Sequence, residues 1–175
     1  LEFEDVKDVA LGMTGGRQDI GNALPPYQWS GGAQFLGRAA KVGDWVVFTL
    51  TGQSHPRRLV VQPAQSYDYG ILNLYLNERL VAENWDGYAE SSHPGQPIDL
   101  GVHAPTGGCF RLKVVVTGKN PKSQGFFVGL DAVSLEDTAQ TEVSAEVDNF
   151  LRAGVFDECP KREWPQLVGL VKRPW

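Results

Sequence analysis

Two carboxylates open the chain one residue apart, in Leu1-Glu2-Phe3-Glu4-Asp5-Val6. Read with the two-residue period of a strand, Leu1 and Phe3 share one face and Glu2 and Glu4 the other. Like charges on one strand face repel unless something positive sits between them. A third carboxylate, Asp131, lies inside the apolar run Phe127-Val128-Gly129-Leu130-Asp131-Ala132-Val133. A carboxylate in such a run is costly unless it is paired or metal-bound. Calcium takes roughly six to eight oxygen ligands, many of them carboxylates and carbonyls. Glu2, Glu4 and Asp131 are therefore candidate calcium ligands. The plainer and commoner arrangement is also open, with Glu2 and Glu4 in solvent and Asp131 against an arginine or a backbone cap.

Aromatic residues in loop-like segments form the second constellation. Tyr27 and Trp29 lie in a Gly/Pro-rich stretch, Trp85 and Tyr88 in Asn84-Trp85-Asp86-Gly87-Tyr88, and Tyr67 just before Asp68-Tyr69-Gly70. Rings within strands, such as Trp45, are expected to fill a core. Rings in loops flanked by Asn, Asp, Gln and Ser suit sugar binding: the C–H face of a sugar stacks on the ring, and amides and carboxylates take its hydroxyls. Other chemistry is poorly represented. The chain has no GxSxG, GxGxxG, Walker A or HExxH pattern. His55, His93 and His103 are scattered beside Pro or Ala in loop contexts. Cys109 and Cys159 fit neither a zinc site nor a CxxC motif. They form either one disulfide, closing a loop of about 50 residues worth on the order of 4 kcal/mol, or two buried thiols.

The elements that must position these residues read as strands. Trp45–Leu50, Tyr69–Leu76, Phe110–Thr117 and Phe126–Leu135 are the strongest. Gln34–Gly37, Arg58–Gln62, Arg79–Ala82 and Ile98–Val102 are weaker, and Leu1–Val6 opens the set. Asn77-Glu78 and Gly107-Gly108 mark hairpin turns. About nine strands in residues 1–136 predict an all-β protein, an antiparallel sandwich or jelly roll. Its long loops are Gly12–Gly32, Glu83–Gln96 and Lys119–Gly125. Residues 137–175 read as a tail with one helix over Thr141–Arg152, capped by Thr141 and Gly154. Too short for a core of its own, the tail is expected to pack on the sandwich or on a partner.

Composition agrees. The 175 residues include 20 Gly and 11 Pro, with 42% hydrophobic and 21% charged residues, which excludes a coiled coil and a disordered chain. A net charge of −5 with no long Lys/Arg cluster argues against nucleic acid. No apolar run approaches the roughly 18 residues of a membrane span. The opening at Leu1, with no signal-peptide pattern, suggests a mature or excised piece.

The order of these features resembles carbohydrate-binding modules with the galactose-binding-like jelly roll, especially families 6 and 35. The matching residues are Glu2-Phe3-Glu4, Trp29-Ser30-Gly31-Gly32-Ala33-Gln34, Gly43-Asp44-Trp45-Val46-Val47-Phe48 and Gly129-Leu130-Asp131-Ala132-Val133. The middle is similar to sugar-associated sandwich domains of environmental bacteria, through Asp68-Tyr69-Gly70-Ile71, Asp99-Leu100-Gly101 and Val116-Thr117-Gly118-Lys119-Asn120-Pro121. The resemblance spans residues 1–136. It implies the jelly roll and a structural calcium held by Glu2, Glu4 and Asp131. The expected function is non-catalytic carbohydrate binding, in an accessory module of a larger secreted protein, extracellular or periplasmic. Trp29, Trp85 and Tyr88 are the expected ligand contacts, with Tyr27, Asp86 and Gln34 beside them. The expected partners are a polysaccharide or oligosaccharide and a catalytic domain or subunit met by the tail. Two other functions fit the sequence: an assembly domain whose tail (Phe150, Phe156, Trp164, Trp175) docks on another subunit, and a jelly-roll hydrolase or lyase using carboxylates among Asp68, Glu83, Asp86 and Glu90.

Overall fold

The computed structural model describes residues 1–20 and 29–138. By its contacts the chain divides into Leu1–Asp137 and Thr138–Trp175. The expected helix over 141–152, Tyr27 and Cys159 lie outside the described residues.

Unit Leu1–Asp137 is a sandwich of two antiparallel sheets, as the alternation predicts. Its strands are β1 (Val9–Leu11), β2 (Thr14–Asp19), β3 (Ala33–Arg38), β4 (Trp45–Thr51), β5 (Arg57–Gln65), β6 (Gly70–Leu76), β7 (Arg79–Asp86), β8 (His93–Pro94), β9 (Ile98–His103), β10 (Cys109–Lys119) and β11 (Val128–Asp137). One sheet runs β1-β4-β10-β6-β7, the other β2-β3-β11-β5-β8, with β9 also on β5. Alternate residues of the central strands meet between the sheets. Val46, Phe48 and Leu50 of β4, with Leu112 and Val114 of β10 beside them, face Leu59 and Val61 of β5 and Leu130 and Val133 of β11. Phe48 packs against Phe3 in a tilted pair and against Phe35 edge-on, at 4.7 Å and 5.0 Å between ring centres.

Several segments depart from the sequence reading, among them the short strands β1 and β8, which it did not include. Leu1–Val6 is not a strand. Leu1 exchanges backbone hydrogen bonds with Val133, and Glu2 bridges Ala132. The chain then turns into a 3-10 turn at Phe3–Asp5, which drives Phe3 into the core. The cause lies in β11: β3 pairs with it only at Val128–Leu130, and Leu1-Glu2 takes the place β3 leaves. The expected loop Gly12–Gly32 contains β2, whose Thr-Gly-Gly-Arg-Gln-Asp carries few strand-forming residues and is held by pairing with β3 along its length. β7 continues past Ala82 through a bulge at Glu83-Asn84, where the Asn84 N–H donates to Asn73 Oδ1 at 2.8 Å. Trp45, expected in the core, is half-buried and outside the core cluster; it points to the other face of β4, with Lys113 Nζ 5.8 Å from its ring centre.

The Asn77-Glu78 hairpin turn is present. Both residues have positive φ, 47° and 67°, and Leu76 pairs with Arg79 across it, the backbone of a type I′ turn. Glutamate is a poor occupant of that second position, where glycine carries no side-chain penalty. Glu78→Gly is expected to raise stability by up to about 1 kcal/mol, read as a higher denaturation midpoint with unchanged m-value. The lost contact, Glu78 to Arg111 at 3.9 Å on the surface, offsets little of that gain.

Candidate functional site

The carboxylates read from the sequence converge at one end of the sandwich. The 3-10 turn brings Glu4 back beside Glu2, and both lie against the turn Ser30–Gly32. Ser30 Oγ donates to Glu2 Oε1 at 2.6 Å, and the Ser30 N–H donates to Asp131 Oδ2 at 3.2 Å. Gly31 has φ +60°, and a Cβ there would stand 3.5 Å from Glu2 Cγ and 3.6 Å from Glu4 Oε1. The Glu4 side chain is inaccessible to solvent, and Asp131 is 2% exposed. Both Glu4 carboxylate oxygens, Glu2 Oε2 and Asp131 Oδ1 are buried without a hydrogen-bond partner. Arg17 Nη1 is the closest positive charge among the ion pairs of Glu4, at 3.7 Å from its Oε1.

Burial, with the Glu2 charge adding to it, pushes the Glu4 carboxyl above its usual range. Burial pushes Asp131 up to about 6, the Ser30 N–H opposing and the Glu2 and Glu4 charges adding. Among the described residues, no three His, Cys, Asp or Glu side chains are placed so that they could hold a metal ion together. The donor chemistry nevertheless fits a hard cation: buried, unpartnered carboxylate oxygens, with no nitrogen or sulfur ligand in the group.

A second feature is a cleft of about 420 Å³. Phe35 of β3 points into the sandwich core, so Gln34 and Leu36 point outward. On that outer face Trp29, Leu36, Ala64 and Tyr69 form a second apolar cluster, with Ile20 and Phe127 packed on it. The cleft is lined by this cluster, Ala64 excepted, and by Gln18, Asp19, Gln34, Ser66, Tyr67, Asp68 and Ser92. Gln34 Nε2 donates to Gln18 Oε1 at 2.6 Å and to Tyr69 Oη at 2.8 Å. Burial raises the Tyr69 phenol well above its ordinary pKa, so it stays protonated and neutral.

The loop that carries Tyr67 and Asp68 is held from both sides. Ser66 N–H donates to the Gly87 carbonyl, Gln124 N–H to that of Tyr67, Phe127 N–H to that of Asp68 and Gly70 N–H to that of Phe127. Ser123 Oγ donates to the Tyr69 carbonyl at 2.8 Å. Tyr67 is thus an exposed ring, 46% accessible, on backbone that cannot easily move.

The structure brings Trp29 and Gln34 together in this cleft and leaves Trp85, Asp86 and Tyr88 out of its lining. Trp85 packs against the sandwich core. Asp86 Oδ1 accepts from the Tyr88 N–H at 2.9 Å, and Oδ2 accepts from Asn120 Nδ2 at 2.6 Å. Both carboxylate oxygens are engaged in holding the loop. The sequence places Tyr67 among the loop rings suited to sugar and Asp68 among the carboxylates of a hydrolase, but neither they nor Tyr69 are among its expected ligand contacts. The signal available was the alternation Tyr67-Asp68-Tyr69-Gly70 at a strand entrance. Of the three histidines, His55 Nε2 meets Asp137 at 2.6 Å and His103 Nε2 meets the Leu100 carbonyl at 2.7 Å. Cys109 donates its thiol to the Thr106 carbonyl at 3.2 Å. No helix among the described residues is long and apolar enough to cross a membrane.

No family model and no curated protein sequence matches the chain. Solved structures do match. A Paenibacillus xanthan lyase aligns over 78% of this chain with 26% identity and a TM-score of 0.65. A GH26-CBM35 β-(1,4)-mannanase of Podospora anserina aligns over 78% with 15% identity and a TM-score of 0.50. A two-domain esterase active on acetylated mannans, co-crystallized with mannopentaose, aligns over 79% with 12% identity and a TM-score of 0.51. The chain spans 13%, 27% and 36% of those proteins respectively. The described sandwich is therefore similar to jelly-roll domains found within carbohydrate-active proteins, as the ordered motifs of residues 1–136 imply.

Proposed function

We propose that the sandwich is a non-catalytic carbohydrate-binding module, an accessory domain of a larger secreted glycan-active protein, and that the outer-face cleft is its sugar site. The observation that carries this reading is the combination in one cleft of an exposed ring on fixed backbone, Tyr67, with the amides of Gln18 and Gln34 and the carboxylate of Asp68. A ring of that kind can stack a sugar, and amides and carboxylates take hydroxyls. Trp29 and Gln34 are nearly buried and serve as wall and floor. The similarity to domains of carbohydrate-active proteins supports the same reading. Calcium at Glu2, Glu4 and Asp131 has a structural role in it, since none of these residues lines the cleft.

Affinity is expected to be modest, because a few stacking and hydrogen-bonding contacts compete with water. Calorimetry against plant, algal and microbial polysaccharides tests the proposal. Tyr67→Ala is expected to weaken the best ligand roughly tenfold, the scale of one lost ring contact, and to leave the melting temperature in place because the ring is exposed. Absence of binding across the panel, or binding indifferent to Tyr67→Ala, Gln34→Ala and Asp68→Ala alike, overturns it.

A further inference from the structure

We infer that the cleft selects neutral, hydroxyl-bearing sugars and rejects acidic ones. The inference rests on the cleft being the sugar site and adds the substrate class. Among the described residues its lining contains two carboxylates, Asp19 and Asp68, and no Lys, Arg or His. Arg17, which adjoins the lining residue Gln18 in sequence, is already engaged. Its Nε donates to Asp19 Oδ1 at 2.7 Å, and its Nη1 lies 3.5 Å from Asp5 and 3.7 Å from Glu4. Asp68 has no hydrogen bond or ion pair to its carboxylate among the described residues, and the loop bonds around it use only its backbone carbonyl.

A sugar hydroxyl both donates and accepts, so it satisfies a carboxylate acceptor at no charge cost. A uronate, sulfate or pyruvate group brings an acceptor-only anion toward Asp68. It finds no guanidinium or ammonium to pair with among the described lining residues, and like charges brought together without a partner act as discrimination against that ligand. Half-burial of Asp68 reduces the screening that water would otherwise supply.

The test compares polymers that share a backbone and differ only at C6: a β-(1,4)-glucan with its C6-oxidised polyglucuronate, and a β-(1,4)-mannan with polymannuronate. Calorimetry and affinity electrophoresis on the full chain at low salt are expected to show the oxidised polymer bound at least about tenfold more weakly than the neutral member that binds, about 1.4 kcal/mol. Asp68→Asn, which keeps the backbone bonds, is expected to narrow that ratio several-fold, as is raising the salt to shorten the Debye length. Asp19→Asn serves if the Asp68 variant fails to fold. Equal or tighter binding of a uronate polymer that is still lost in Tyr67→Ala overturns the charge selection and leaves the site in place. Binding of neither polymer of either pair overturns both.

Discussion

Replacing Gly129 with alanine will lower the melting temperature by about 3 to 12 °C and dismantle the cleft at the same time. Gly129 sits at the start of β11, opposite Leu36 of β3 and Ala64 of β5. Both neighbours belong to the outer cluster, so a side chain at 129 points to the outer face. A Cβ there would collide with the Tyr69 ring, with Tyr69 Cζ at 2.8 Å and Gln34 Oε1 at 2.7 Å. Neither group has room to yield. Tyr69 is 4% exposed and Gln34 is 2% exposed, and they hydrogen-bond each other at 2.8 Å. Overpacking of this kind costs about 1 to 3 kcal/mol, which sets the melting shift for a domain of this size. Displacing Tyr69 also breaks the Gln34–Gln18 chain along the cleft floor, so polysaccharide affinity falls with stability. A double-mutant cycle separates the causes. With Tyr69→Ala in place the ring is gone, and Gly129→Ala should then cost much less than it does alone. Additive costs, or an alanine variant with unchanged melting and affinity, would show that the glycine is not there to admit the ring.

That glycine marks where the sequence stopped being legible. Strands whose identity depends on their own residues were readable: Trp45–Leu50, Tyr69–Leu76 and Phe110–Thr117 each lie within one or two residues of β4, β6 and β10. β2 was not, because Thr14-Gly15-Gly16-Arg17-Gln18-Asp19 becomes a strand only through β3 beside it. The same division holds at the sites. Glu2, Glu4 and Asp131 could be grouped because an apolar run around a carboxylate is a local anomaly. Which way Glu4 faced was not local, since the 3-10 turn exists only because β3 vacates the edge of β11. The cleft gathers residues from β2, β3 and the loops before β6, β8 and β11. No window of sequence contains that juxtaposition, so Trp29 and Gln34 could be chosen as residue types but not paired with Tyr67 and Asp68. Trp85 and Tyr88 had the same composition around them, and the bulge at Glu83-Asn84 carried the strand on to Asp86.

Calcium will raise the melting temperature of chelated protein, and acid will do so too, over opposite conditions. A cation bound only by the native state at a hundred times its dissociation constant adds about 2.7 kcal/mol, roughly 8 to 10 °C here. Without it, Asp131 and Glu4 are buried carboxylates whose folded-state pKa values lie above their ordinary ones, Asp131 at about 6. Such a group contributes stability that is fully present below the ordinary pKa, near 4, and is lost as pH rises through the folded value. Over about two pH units Asp131 alone is worth at most roughly 3 kcal/mol. Chelated protein is therefore expected to be more stable at pH 4.5 than at pH 7, by the arithmetic of those two shifts. The depressed carboxylates do not confuse this window. Asp99, held down to about 2 by Arg58, and Asp137, lowered by His55 and Arg57, lose their contribution only below about pH 4. With calcium present the slope reverses, because the ion binds ionised carboxylates and is displaced as they protonate. Asp131→Asn removes the charge in a near-isosteric way. It should stabilise the chelated protein at pH 7, flatten its profile between pH 4 and 7, and abolish the calcium response. A chelated wild type that gains stability from pH 4.5 to 7, with no response to calcium and no metal by elemental analysis, would mean that the buried carboxylates are balanced by something other than an ion.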